Sequence, residues 1–140
     1  MNTTTIAALA IIPLAQHKGP DGSLTVIPGP GPGGLGIGIR RVFTITNVPS
    51  GGTRGDHAHK DCIQVVVCLH GRVTVVIDDG RESTTIVLDD AAKGLFIPPG
   101  LWNHLTFDGP DTLIAVFCDQ DFDHDEYLRD RKSYLVFKGL

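Results

Sequence analysis

No stretch of this sequence approaches the roughly 20 apolar residues that cross a bilayer as a helix. The most apolar segment, Ile6 to Leu14, is too short. It also lacks a basic region before it and a clear small-residue cleavage site after it. It reads as an N-terminal strand of a cytoplasmic protein with no membrane partner. A basic excess is missing too: the formal net charge is −4, which argues against a nucleic-acid partner. A few arginines still suffice to hold the phosphate of a small ligand. Nor is there any paired-cysteine spacing. Cys62, Cys68 and Cys118 are odd in number and form no CxxC, so they read as free, buried thiols in a reducing compartment.

Helical periodicity is nearly absent. In its place stand runs of four to eight residues rich in Val, Ile, Thr and Phe, separated by turn residues. Candidate strands cover residues 8–14, 24–27, 41–46, 54–59, 62–69, 72–78, 83–88, 94–97, 104–107 and 112–118. Asp78, Asp79 and Gly80 lie between two alternating runs and predict a hairpin turn. The 17 Gly and 9 Pro fall between such runs and read as turns rather than disorder. Many short strands at this spacing predict an all-β sandwich or barrel. At 140 residues, 41% hydrophobic and without internal repeat or boundary, the chain is expected to form one domain over 1–140. The Gly/Pro-rich stretch from Pro28 is either a plain connection or a lid. One short helix is expected over 123–131, with Asp121 or Asp123 as its N-cap.

The informative segment runs from Gly51 to Gly71 and reads G-x5-H-x-H-x4-Q-x6-G. Residues two apart on a strand share a face. His57 and His59 therefore project together while Ala58 faces away, and the next strand brings Gln64 beside them. An imidazole titrates near neutrality and can take and return a proton. A pair of satisfied core histidines is the plainer alternative, disfavoured by the spacing to Gln64 and Gly71.

That spacing resembles the first cupin motif, with Gln64 where the superfamily carries a glutamate ligand. Pro98, Gly100 and Asn103 frame the second motif, P-x-G-x2-H, with Asn103 in the place of its histidine. The resemblance implies a double-stranded β-helix, or jelly roll, with the site inside it. Two of the four metal-ligand positions are then neutral carboxamides, which bind first-row transition ions poorly. A site with no metal and no cofactor is expected.

Further blocks narrow the resemblance. Asp21-Gly22-Ser23-Leu24, Arg41-Val42-Phe43-Thr44-Ile45, Arg54-Gly55-Asp56-His57-Ala58-His59-Lys60, Gln64 to Gly71, Leu101-Trp102 and Asp125 to Arg129 together look like the nucleotide-sugar 3,4-ketoisomerases, the WxcM-like sugar isomerases. The resemblance implies transfer of the keto group of a TDP-4-keto-6-deoxyhexose from C4 to C3 through an enediol. It makes His57 the proton acceptor and His59 the shuttle between sugar oxygens. Arg54 and Arg41 would hold the pyrophosphate, or in the case of Arg54 the enediolate. Gln64, Trp102, Asn103 and His104 complete the substrate-binding candidates, although a regular strand would turn His104 away from Asn103. The family pattern also implies a homodimer with exchanged N-terminal strands. Thr44, Asn103 and His104 depart from the pattern, and these changes are expected on the sugar side of the cavity. His17, His70 and His124 are expected at the surface.

Three alternatives remain open at this level. A nucleotide-sugar 3,5-epimerase needs a histidine–carboxylate pair and a tyrosine acid, and Tyr127 and Tyr134, both C-terminal, are hard to place for that role. The others are a sugar-nucleotide-binding cupin without turnover and a metal-dependent cupin enzyme.

Overall fold

The computed structural model describes residues 1–140. Twelve strands account for most of the ordered backbone: β1 (Ala10–Pro13), β2 (Ala15–Gly19), β3 (Gly22–Val26), β4 (Arg41–Ile45), β5 (Thr53–His59), β6 (Gln64–His70), β7 (Val73–Asp78), β8 (Ser83–Leu88), β9 (Lys93–Ile97), β10 (Trp102–Phe107), β11 (Leu113–Cys118) and β12 (Tyr127–Leu128). One helix, α1 (Arg131–Lys138), follows. Residue chemistry explains the strands. In β7, Val73, Val75 and Ile77 are fully buried while Thr74, Val76 and Asp78 alternate toward solvent.

Two five-stranded antiparallel sheets face each other, in the orders β1-β9-β6-β11-β4 and β12-β5-β10-β7-β8. Val66, Leu95, Ile114 and Val116 of the first sheet meet Val75, Ile77, Leu105 and Phe107 of the second in one apolar cluster. The chain is a cupin-like jelly roll. β6 is buried on both faces. Its outward residues Val65 and Val67 are covered by Leu35 and Ile37, which follow the Gly/Pro-rich stretch. That stretch therefore roofs the outside of the first sheet and does not lid the space between the sheets. The hairpin β2–β3 forms a separate two-stranded sheet, with Leu24 63% exposed.

The strand expected over 8–14 is shorter than its apolar run, because Ile6–Ala8 forms a 3-10 turn before β1. β2 carries too little apolar periodicity to be read from its residues. The helix lies later than expected. Asp123 does cap a turn, its Oδ1 accepting from the Asp125 N–H at 3.0 Å, but only the 3-10 turn His124–Glu126. Tyr127 and Leu128 then pair with β5, which stops helical propagation. α1 starts instead at Arg131, behind Asp130, whose carboxylate caps the Ser133 N–H at 2.9 Å, and is closed by Gly139 in the left-handed region. No helix is long and apolar enough to cross a membrane.

Candidate active site

A bulge in β5 shapes the site. β10 pairs Asn103 with His57 but His104 with Gly55, so Asp56 is an extra residue on the β5 side. Gly55 and Asp56 both have positive φ, 95° and 59°. The bulge has a consequence for side chains. Arg54 and His57 are three apart and would face opposite ways on a regular strand. Here they pair with Leu105 and Asn103, which share the inner face of β10, so both line the same cavity. Only glycine fits at 55: a Cβ there would lie 2.5 Å from Asn103 Oδ1 and 2.9 Å from its carbonyl oxygen.

The cavity lies between the sheets and opens to solvent, with about 370 Å³ of space free of protein atoms, open solvent included. One wall is Phe43, Ile45, Val66 and Val116; the polar groups are Arg54, His57, Gln64 and Asn103. Its mouth continues past Thr53 and Asp56 to Tyr127 and Arg129. Arg41 stands on the inner face of β4, its guanidinium 5.6 Å from the centre of the Phe43 ring and 5.5 Å from that of Phe122. Two guanidinium groups, Arg54 and Arg129, thus line the opening of a chain whose net charge is negative, and Arg41 lies beside the Phe43 ring that also lines it.

His57 and His59 share a face as the spacing predicts, their ring centres 5.0 Å apart, while Ala58 points to the outer side and packs with Leu128 and Tyr134. His59 Nδ1 is hydrogen-bonded to Glu126, and the second Glu126 oxygen accepts the N–H groups of Asp61 and Cys62, each at 3.2 Å. A carboxylate can only accept, so Nδ1 of His59 carries the hydrogen and Nε2 keeps a free lone pair. That Nε2, and Nδ1 of His57, are buried without a partner. Unpartnered buried polar atoms are costly, and here both belong to one ring pair. Burial, reinforced by the neighbouring His59, pushes the His57 imidazole down to about 4. Burial also lowers His59, against the opposing pull of Glu126. Both rings are neutral at pH 7, the form that accepts a proton.

Two candidates fall outside this cavity, and alternation along β10 is the reason. Asn103, Leu105 and Phe107 face inward, so Trp102 and His104 face outward. Trp102 packs on Tyr134 at 5.3 Å under α1. His104 is hydrogen-bonded to Asp56 at 2.7 Å on the outer surface. Neither lines the cavity. Thr44 also points outward from β4, exposed, so that departure does not touch the cavity. His17, His70 and His124 are exposed, and the three cysteines are free and buried.

The structure adds residues that strand spacing had not singled out. The two-residue strand β12 pairs Tyr127 with His59, and its ring lies 5.2 Å from His57 and 4.4 Å from His59. Arg129 lies over that ring at 4.4 Å. Glu126, just before, supplies the carboxylate on His59. Tyr127 is therefore not hard to place: it sits against both histidines. The only sequence signal was the Asp125 to Arg129 block.

The donor set does not fit a cupin metal. Its four ligand positions hold two imidazoles and two neutral carboxamides, and Asn103 spends its amide nitrogen on the His57 carbonyl at 3.1 Å. His59, Cys62 and Glu126 cluster within 4.8 Å, but both Glu126 oxygens are already engaged.

Known proteins fit this geometry. The family model described as FdtA, WxcM-like, C-terminal, matches residues 7–139. The TDP-4-oxo-6-deoxy-alpha-D-glucose-3,4-oxoisomerase of Aneurinibacillus thermoaerophilus is 34% identical over 96 residues, 69% of either chain. The sugar 3,4-ketoisomerase QdtA of Thermoanaerobacterium thermosaccharolyticum, solved with TDP, superposes with a TM-score of 0.90 at 30% identity, covering 96% of this chain and 97% of its own. A point mutant of it, solved with TDP-4-keto-6-deoxyglucose, gives 0.88 at 30%, covering 94% of each chain. The fold, the paired histidines and the near full-length match together place the chain in the FdtA family of WxcM-like proteins.

Proposed function

We propose that this chain is a sugar 3,4-ketoisomerase that converts a TDP-4-keto-6-deoxyhexose to its 3-keto isomer through an enediol. The observation that carries this reading is a pair of adjacent neutral imidazoles, His57 lining the cavity and His59 buried behind it on a carboxylate. His57, which lines the cavity, takes the C3 proton. The enediolate oxygen develops beside Arg54, whose donors line the cavity and are in place before the reaction. His59 passes a proton between the two sugar oxygens, and Glu126 stabilises the imidazolium that forms in transit. The His57 imidazolium exchanges its proton with solvent and delivers one to C4, leaving the keto group on C3. Arg41, Arg54 and Arg129 suit the diphosphate at the mouth.

The test is incubation with TDP-4-keto-6-deoxyglucose in heavy water. Deuterium is expected at C4 of a 3-keto product, and His57→Asn is expected to abolish the exchange while the fold and TDP binding persist. Full activity in that variant would remove His57 from the role of base. Treatment with a chelator is expected to leave turnover unchanged.

A second reading gains from Tyr127. With His59 and Glu126 it supplies the tyrosine and the histidine–carboxylate pair of a nucleotide-sugar 3,5-epimerase. The same heavy-water experiment separates the two, because epimerisation exchanges C3 and C5 and leaves the keto group on C4.

The reading extends to a cytoplasmic homodimer. Three free cysteines suit a reducing compartment, and the exposed apolar residues Leu24 and Val26 on the detached hairpin suit burial against a second copy. Sedimentation of a monomer at micromolar concentration would count against the dimer.

A further inference from the structure

Four residues stand side by side on the inner face of the first sheet: Arg41 on β4, Cys118 on β11, Gln64 on β6 and Ile97 on β9, each the direct cross-strand partner of the next. Cys118, wholly buried, lies between the two polar side chains. Arg41 Nη2 donates to its sulfur at 3.5 Å, and Gln64 Nε2 donates to the same sulfur at 3.7 Å. The guanidinium has no carboxylate partner, and its Nε is buried with none at all. It lies 5.6 Å from the centre of the Phe43 ring, which lines the cavity mouth, and 5.5 Å from that of Phe122.

We propose that Cys118 is a positioning residue, whose sulfur sets Arg41 at the mouth and Gln64 on the wall so that their remaining donors face the nucleotide sugar. The proposal rests on the nucleotide-sugar reading of the cavity. A neutral thiol is a weak acceptor, whereas a thiolate makes charge-assisted bonds. Two donors aimed at one sulfur, one of them a guanidinium, favour its ionised form. A single sulfur acceptor holds the guanidinium without covering it as a bidentate carboxylate would. The free edge stays open to a diphosphate.

The test is a double-mutant cycle of Cys118→Ala and Arg41→Ala, read by TDP titration and by ketoisomerase kinetics. Cys118→Ala is expected to weaken TDP binding about tenfold, the scale of one coupled network, with a matching rise in KM and kcat within about twofold. In the Arg41→Ala background the same change is expected to add less than about twofold. Cys118→Ser keeps a small acceptor and is expected to restore part of the affinity, which also guards against a misfolded alanine variant. Wild-type affinity in Cys118→Ala, losses that multiply in the double variant, or a fall in kcat at unchanged affinity would each overturn the proposal. A wild-type protein that binds TDP with this coupling but does not isomerise the sugar would instead refute the ketoisomerase reading alone.

Discussion

The carboxylate of Glu126 bridges Nδ1 of His59 and the backbone N–H groups of Asp61 and Cys62, so a residue 67 positions along the chain decides which nitrogen of His59 is free. The bond fixes the ring tautomer and supplies negative charge to an imidazolium. Glu126→Gln keeps the size but loses that charge. We expect kcat to fall by about 10²-fold or more, with KM little changed. Steady-state kinetics check this. A variant with wild-type kcat would leave Glu126 a structural clasp only.

His57 makes stability depend on pH. Its imidazole sits near 6.5 in the unfolded chain and at about 4 in the native state. Between those values the unfolded chain binds the extra proton. The stability is therefore whole above pH 6.5 and is lost as pH falls toward 4, by up to about 3 kcal/mol. Denaturant titrations at pH 7 and pH 4.5 should show a smaller loss for His57→Asn than for the wild type. Equal losses would mean that the ring is already charged or well solvated in the native state.

Gly55→Ala tests the bulge. The new Cβ would meet Asn103 Oδ1 at 2.5 Å, at a backbone φ of +95°. The strand must shift, with a cost of about 1–3 kcal/mol. Because Arg54 and His57 share a face only through that bulge, turnover should drop along with stability. An alanine variant with an unchanged denaturation midpoint would show the bulge to be adaptable.

Tyr127→Phe keeps the ring against His57 and His59 and deletes the hydroxyl. In a ketoisomerase, KM should rise a few-fold with kcat nearly retained. Abolition of turnover would point to a tyrosine acid and favour epimerase chemistry. Product analysis by NMR reads the difference.

Much of the architecture was legible without coordinates, because a strand declares itself locally. Alternation in β7 and β10, the Asp-Gly turn and the H-x-H pair each depend on residues a few positions apart. That local logic put His57, His59 and Gln64 together. It also misled where it was followed too loosely. Trp102 and His104 neighbour Asn103 in sequence, yet the two-residue period of β10 turns both away from the cavity. The helix was misplaced because Asp123 and Asp130 are equally good caps, and only the pairing of β12 with β5 decides between them.

Residue order alone settled the fold class, the paired imidazoles and the replacement of two ligand positions by carboxamides. Tertiary structure decided the rest of the site: Glu126 on His59, Tyr127 against both rings, Arg54 swung inward by a bulge, and Cys118 between Arg41 and Gln64. The physical reason is separation along the chain. Each of these depends on strand pairing or bulge register, and a one-residue change of register would send the same side chains to the opposite face.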